Sequence, residues 1–159
     1  PGSVRIIVIP DNRNQNSFDP FEPRVSANKL REIKDYLVRL NSLHIDLQVE
    51  NPNYEKIRFD LKAAFYPGLD KNEYTSRLNT DLIRYLSPWA FDQQAEIALG
   101  GSVHKSKAIQ FMEELPYVDY ITDFRMYFDG NVLQASNSRS ILVSVKNHEI
   151  STSIQVCTP

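Results

Sequence analysis

Between Tyr54 and Tyr66 the apolar residues Ile57, Phe59, Leu61, Ala63 and Phe65 alternate with Arg58, Asp60, Lys62 and Ala64. A two-residue period sends successive side chains to opposite faces, so the run predicts a half-buried strand with one face that must be covered. Beyond the turn pair Pro67-Gly68 the period changes. Tyr74, Leu78, Leu82 and Leu86, with Ile83 beside them, recur at helical spacing and predict a helix packed across that strand. Whatever this chain folds into has to be built around that pair.

A chain of 159 residues suits one domain, or one and a small appendage, with a core of its own that needs neither metal nor disulfide to hold it. Eight Phe, eight Tyr and one Trp argue for an ordered interior. The net charge of -2 gives no general attraction to phosphate backbones or anionic lipid, so nucleic acid and membrane surfaces are not expected partners. Cys157 is alone and cannot form an internal disulfide. No run approaches the roughly 20 apolar residues that span a bilayer, and no charged segment followed by an apolar stretch opens the chain. A soluble protein without an export signal is expected. Pro1-Gly2-Ser3, with no initiator methionine, leads straight into Val4, which suggests a fragment of a longer polypeptide.

Val4 to Ile9 is a β-branched apolar run, expected as a strand buried on both faces or paired centrally. Asp11 to Pro23 is rich in Asn, Gln, Pro and Phe and reads as an irregular loop, either interface-forming or a mobile insertion. Ser26 is the expected N-cap of a helix in which Leu30, Ile33, Leu37 and Leu40 face inward, ending near Asn41. Leu43, Ile45, Leu47 and Val49 alternate as a second strand. The short link Asn51-Pro52-Asn53 suggests that it neighbours the next strand antiparallel, with a crossing between sheets as the alternative. Ser87-Pro88-Trp89 breaks the helical pattern, and Ala90 to Leu99 fits no period. Ser102 is expected to cap a third helix bearing Ala108, Phe111, Met112 and Leu115 on one side and ending at Pro116. Val118 to Phe128 returns to strand, with Phe124, Met126 and Phe128 on one face, and Asp129-Gly130 signals a hairpin. Ile141, Val143 and Val145, then Ile150 to Val156, supply a last pair of strands around residues 146–149.

Residues that could carry chemistry do not converge. His44, His104 and His148 lie far apart with no second His or Cys at metal-ligand spacing, and read as surface or turn histidines. Gly100-Gly101-Ser102-Val103-His104-Lys105-Ser106 is superficially like a phosphate loop, but it lacks the Gly before the Lys and has no clear strand ahead of it. It reads as a tight turn and a helix start. Asp60, Asp81, Asp119, Asp123 and Asp129 fall on outward faces or turns, where a solvated carboxylate is the default. No Gly-x-Ser-x-Gly elbow is present, and Cys157 near the end is a poor nucleophile. Trp89 could anchor a partner or lie under the domain's own helices, and the usual burial of Trp favours the latter.

With these elements placed, their order resembles the carboxy-terminal region of the baseplate J family of contractile phage tails and related injection systems. The carrying residues are Asn53-Tyr54 entering the strand Ile57-Arg58-Phe59-Asp60-Leu61, the helix Tyr74 to Leu86 running into Ser87-Pro88-Trp89, and Gly100 to Ser106. The last opens a helix ahead of a Val-x-x-Ile strand, here Val118-Asp119-Tyr120-Ile121, and Ile141-Leu142-Val143-Ser144 followed by His148-Glu149-Ile150 is similar to the family's end. The resemblance implies a non-enzymatic wedge subunit that joins copies of itself and other wedge subunits around the tail hub, with no active site and no cofactor. It also implies cytoplasmic assembly into a tail-like particle, with release along with the particle as an option, and an amino-terminal portion not included here.

The expected fold is therefore α+β: a mixed, mainly antiparallel sheet covered on one side by three helices, in a single domain spanning residues 1–159. Phe18, Phe21, Trp89 and Phe91, aromatics in non-periodic, Pro-bearing segments, are the candidate contact residues. The competing class is a small enzyme or ligand-binding domain. It predicts a deep pocket with converging His or carboxylate groups, whereas assembly predicts an exposed apolar patch or an unpaired strand edge.

Overall fold

A computed structural model describes residues 2–11, 19–40, 45–92, 94–126 and 132–152. The alternation around Phe59 keeps its faces as far as Ala63 but not its continuity, and Ala64, expected on the outward face, is buried at 3% exposure. Strand β3 (Asn53–Ile57) and strand β4 (Phe59–Phe65) are separated at Arg58 and belong to different sheets. Ile57, Phe59, Leu61 and Ala63 are buried to 1% exposure or less, and Arg58, Asp60 and Lys62 are exposed. Helix α2 (Lys71–Leu86) lays Leu78, Leu82 and Leu86 on that buried face. Each such leucine contributes about 1.5–3 kcal/mol on leaving water. Asp70 starts the helix by accepting the N–H of Glu73 at 2.8 Å, and Pro88, just past its end, cannot continue it.

The other elements are β1 (Gly2–Ile7), α1 (Ala27–Leu40), β2 (Ile45–Glu50), a 3-10 turn at Pro88–Ala90, β5 (Ser102–His104), α3 (Lys105–Glu113), β6 (Val118–Met126), β7 (Val132–Gln134), β8 (Ser140–Ser144) and β9 (Glu149–Thr152). The class is α+β, as the sequence predicts, with parallel and antiparallel pairs distributed over several small sheets. β4 lies between β6, antiparallel, and β9, parallel. β3 pairs parallel with β8, β1 parallel with β2, and β5 antiparallel with β7. Met112 and Ala108 of α3, with Phe124 and Met126 of β6, close the core. Phe124 and Met126 share a face as expected, and the irregular register between Asp60 and Lys62 lies opposite Asp123. Asp123 takes a φ of 51°, which Asp tolerates better than most residues.

Several expectations are corrected. β1 is neither central nor buried on both faces: among the described residues it pairs with β2 alone, and Val4 is 43% exposed. The intervening helix α1 makes the pair parallel, as a crossover must. α1 starts beside Ser26, whose Oγ accepts the N–H of Lys29 at 3.3 Å, and packs on β2, yet none of its residues is buried and Leu40 is 67% exposed. The Asn51-Pro52-Asn53 link is the crossing between sheets. Asn51 exchanges two hydrogen bonds with the backbone of Val25 at 2.8 and 2.9 Å, which turns the chain away from β2. Ser102 does not cap α3, because residues 102–104 stay extended against β7 and the helix begins only at Lys105. Asp129 and Gly130 lie outside the described residues, and β6 and β7 pair with β4 and β5 instead of each other. β8 and β9 likewise follow one another along β3 and β4. Among the described residues no helix is long and apolar enough to cross a membrane.

Candidate assembly surface

Three of the four predicted contact aromatics meet, although they come from segments far apart in sequence. Asp19 Oδ1 accepts the backbone N–H of Phe21 at 2.9 Å, a local turn that fixes this part of the loop. The break at Ser87-Pro88 carries Trp89 and Phe91 off the end of α2 toward it. Trp89 Nε1 donates to the Phe21 carbonyl at 3.3 Å, and the rings of Phe21 and Phe91 meet edge to face, 5.8 Å between centroids at 78°. Phe91 remains 49% exposed, and Trp89 is half-buried, between its two predicted roles. Phe18 lies outside the described residues.

Charge borders this cluster on both sides. The Arg84 guanidinium sits 5.2 Å over the Phe91 ring. On the other flank Glu22 pairs with Arg24 at 3.2 Å and Lys56 at 3.4 Å, and Arg24 lies 5.1 Å over Tyr54. The Tyr54 hydroxyl donates to the Pro23 carbonyl at 2.7 Å, and burial raises its pKa, so it stays a neutral donor. The sequence missed these cations, because periodicity marks buried faces and is silent on which exposed groups lie beside one another.

A second set of rings lies farther along α2. Tyr74 and Tyr117 are 5.2 Å apart, and Arg77 lies 5.1 Å over Tyr117. The buried Tyr117 hydroxyl donates to Asp81 Oδ2 at 2.5 Å, so Asp81 is a structural acceptor, contrary to its expected role as a solvated carboxylate. Asp60, Asp119 and Asp123 are exposed as predicted, and Asp129 lies outside the described residues.

His148 corrects the histidine reading. It is buried, its Nδ1 accepts the N–H of Phe59 at 3.1 Å, and its Nε2 lies 3.0 Å from Ser144 Oγ. Such a position is structural. His104 is half-buried, 3.5 Å from Ser102 Oγ, and His44 lies outside the described residues.

The clefts among the described residues include one of about 250 Å³ beside Phe65, Tyr66 and Lys71 and one of about 270 Å³ beside Tyr85, Trp89, His104 and Lys107. Both are smaller than the roughly 300–1,000 Å³ of usual ligand sites, and neither is lined by a carboxylate. Among the described residues no three His, Cys, Asp or Glu side chains gather as metal ligands would.

No curated protein sequence matches the chain. Its fold is similar to that of a chain in the six-fold symmetrised cryo-EM structure of the anti-feeding prophage baseplate, with a TM-score of 0.64 at 19% identity. The match covers 90% of this chain and 29% of that one, so the sequence spans less than a third of the matched chain's length. The family model described as baseplate protein PVC11-like matches residues 1–149, and the chain belongs to that family of baseplate proteins.

Proposed function

We propose that this chain is part of a structural wedge subunit of a contractile injection particle, of the baseplate J type, and that it acts by contact and not by catalysis. It joins copies of itself and other wedge subunits around the hub. The reading takes Phe21, Trp89 and Phe91 as contact residues, with Phe18 as the fourth candidate. The observation that carries it is the convergence of three aromatics from two distant segments, half-buried Phe21 and Trp89 and exposed Phe91, in a chain of a baseplate family. Aromatic side chains beside Arg are the composition that interface centres favour.

Co-expression with the remaining subunits of the same particle tests it. Phe21→Ala together with Phe91→Ala should leave the isolated chain folded by circular dichroism and lower its incorporation into baseplates seen by electron microscopy. Full incorporation of the double variant would sink the reading.

A further inference from the structure

Two guanidinium groups on α2 are held in place and left unpaired. Arg77 lies 5.1 Å over Tyr117 and 6.0 Å over Tyr74, and Arg84 lies 5.2 Å over Phe91. Both are exposed. Seven residues apart, they fall on one helical stripe about 10 Å from each other along the axis. Among the described residues neither makes an ion pair, although carboxylates lie close by in the chain. Asp81 is taken by the Tyr117 hydroxyl, and Asp92 Oδ1 accepts the N–H of Gln94 at 2.9 Å. Glu73, one turn before Arg77 and in the favourable order for a helical pair, does not close on it either.

A guanidinium stacked on a ring keeps its in-plane N–H fork free while its rotamers are already restricted. Such a group pays less ordering entropy when a carboxylate arrives, and can take it by two parallel hydrogen bonds. We propose that Arg77 and Arg84, continuing into Phe91, form a docking ridge for an acidic segment of a neighbouring baseplate subunit. That segment carries two carboxylates spaced about two helical turns apart, with an apolar side chain for the exposed part of Phe91. The ridge favours discrete carboxylates over a nucleic-acid backbone, because it offers two separated cations in place of an extended basic stripe and the chain's net charge is -2. The inference rests on the proposed assembly role and adds the chemistry of the partner.

The test uses the chain co-expressed with the other subunits of its particle. Three variants are compared for incorporation: Arg77→Glu with Arg84→Glu, Arg77→Lys with Arg84→Lys, and Phe91→Ala. Thermal melts of the isolated variants confirm folding. Charge reversal should cut incorporation by roughly tenfold or more, and the Lys pair, which keeps charge but loses the planar fork, should lose part of it. A photo-reactive phenylalanine analogue at Thr80, between the two arginines, should cross-link to a partner segment rich in Asp or Glu. Wild-type incorporation of the charge-reversed chain would overturn the proposal, as would cross-links to a segment without carboxylates. Binding of a single- or double-stranded DNA oligonucleotide that disappears on charge reversal would overturn it too. If Phe91→Ala alone blocks assembly, the acidic partner is wrong and the assembly role survives; if no variant matters, both fall.

Discussion

The backbone N–H of Phe59 donates to Nδ1 of His148 at 3.1 Å, so an imidazole takes the place in the ladder where a neighbouring strand would offer a carbonyl. The parallel pairing of β3 with β8 and of β4 with β9 is interrupted at this point, between the Val145 N–H on the Ile57 carbonyl at 3.1 Å and the Asp60–Glu149 pair. Residues 145–148 leave the ladder and His148 fills the gap. Its ring stacks on Phe59 with 5.4 Å between centroids. Asn79 of α2 clasps the excursion, accepting the His148 N–H at 2.8 Å and donating to the Lys146 carbonyl at 3.1 Å.

The seam requires a neutral imidazole. Nδ1 accepts, so the proton sits on Nε2 and goes to Ser144 Oγ, which in turn donates to the Val145 carbonyl at 2.8 Å. Burial lowers the His148 pKa from 6.5 to about 4. The unfolded chain therefore takes up this proton near pH 6.5, and the folded chain only near pH 4. Stability from this group is complete above the upper value, falls as pH drops between the two, and is gone below the lower. The full span is about 3 kcal/mol. Urea denaturation at a series of pH values should show the decline, and His148→Asn, whose Oδ1 can still accept from Phe59, should remove this component. An unchanged pH slope in the variant would contradict the assignment.

Ser87 anchors the same seam from the helix side. Its hydroxyl oxygen accepts the N–H of Ser144 at 2.9 Å, and the residue is fully buried. Ser87→Ala leaves that N–H without a partner in a dry site, which costs about 1–3 kcal/mol. A lower melting temperature with an unchanged far-ultraviolet spectrum is the expected result.

What the sequence disclosed follows from what periodicity measures. The period of two reports which face a residue occupies, and it placed Ile57, Phe59, Leu61 and Ala63 on the buried side. It does not report a strand's partner. The division at Arg58 carries no Gly or Pro, because its cause is the excursion at residues 145–148, far away in the chain. His148 sits in a polar, turn-like context, and its burial is explained by the hydrogen bonds that its ring accepts from Phe59 and its N–H donates to Asn79. β1 has the composition of a central strand, but exposure depends on how many neighbours the topology supplies, and among the described residues it receives one. The aromatic surface was partly legible, since Phe21, Trp89 and Phe91 stand out in aperiodic segments, whereas their meeting with Arg84 depends on the path of the chain after α2.

Leu82 is fully buried between α2 and the central strands. Leu82→Ala removes contacts in a core that relaxes only in part, and should cost about 2–5 kcal/mol. Asp70→Ala, by contrast, removes a single exposed N-cap bond and should cost about 1 kcal/mol. Denaturant midpoints of the two variants should differ in that order, with m-values unchanged.

Trp89 and Phe91 are two residues apart and should separate stability from assembly. Trp89 is half-buried and donates to the Phe21 carbonyl, so Trp89→Ala removes packing as well as the bond that ties the loop to the end of α2. It should lower the melting temperature measurably. Phe91 keeps half its surface in solvent and gives Arg84 a ring to rest on. Phe91→Ala should change the melting temperature little, since an exposed cation–ring contact is worth about 0.5–1 kcal/mol. Its effect should fall on incorporation into baseplates, where an exposed aromatic next to Arg has the chemistry of an interface anchor. Parallel thermal melts and assembly assays on the two variants decide the matter, because a Phe91 variant that melts early and assembles normally would make this surface a structural edge and not a contact.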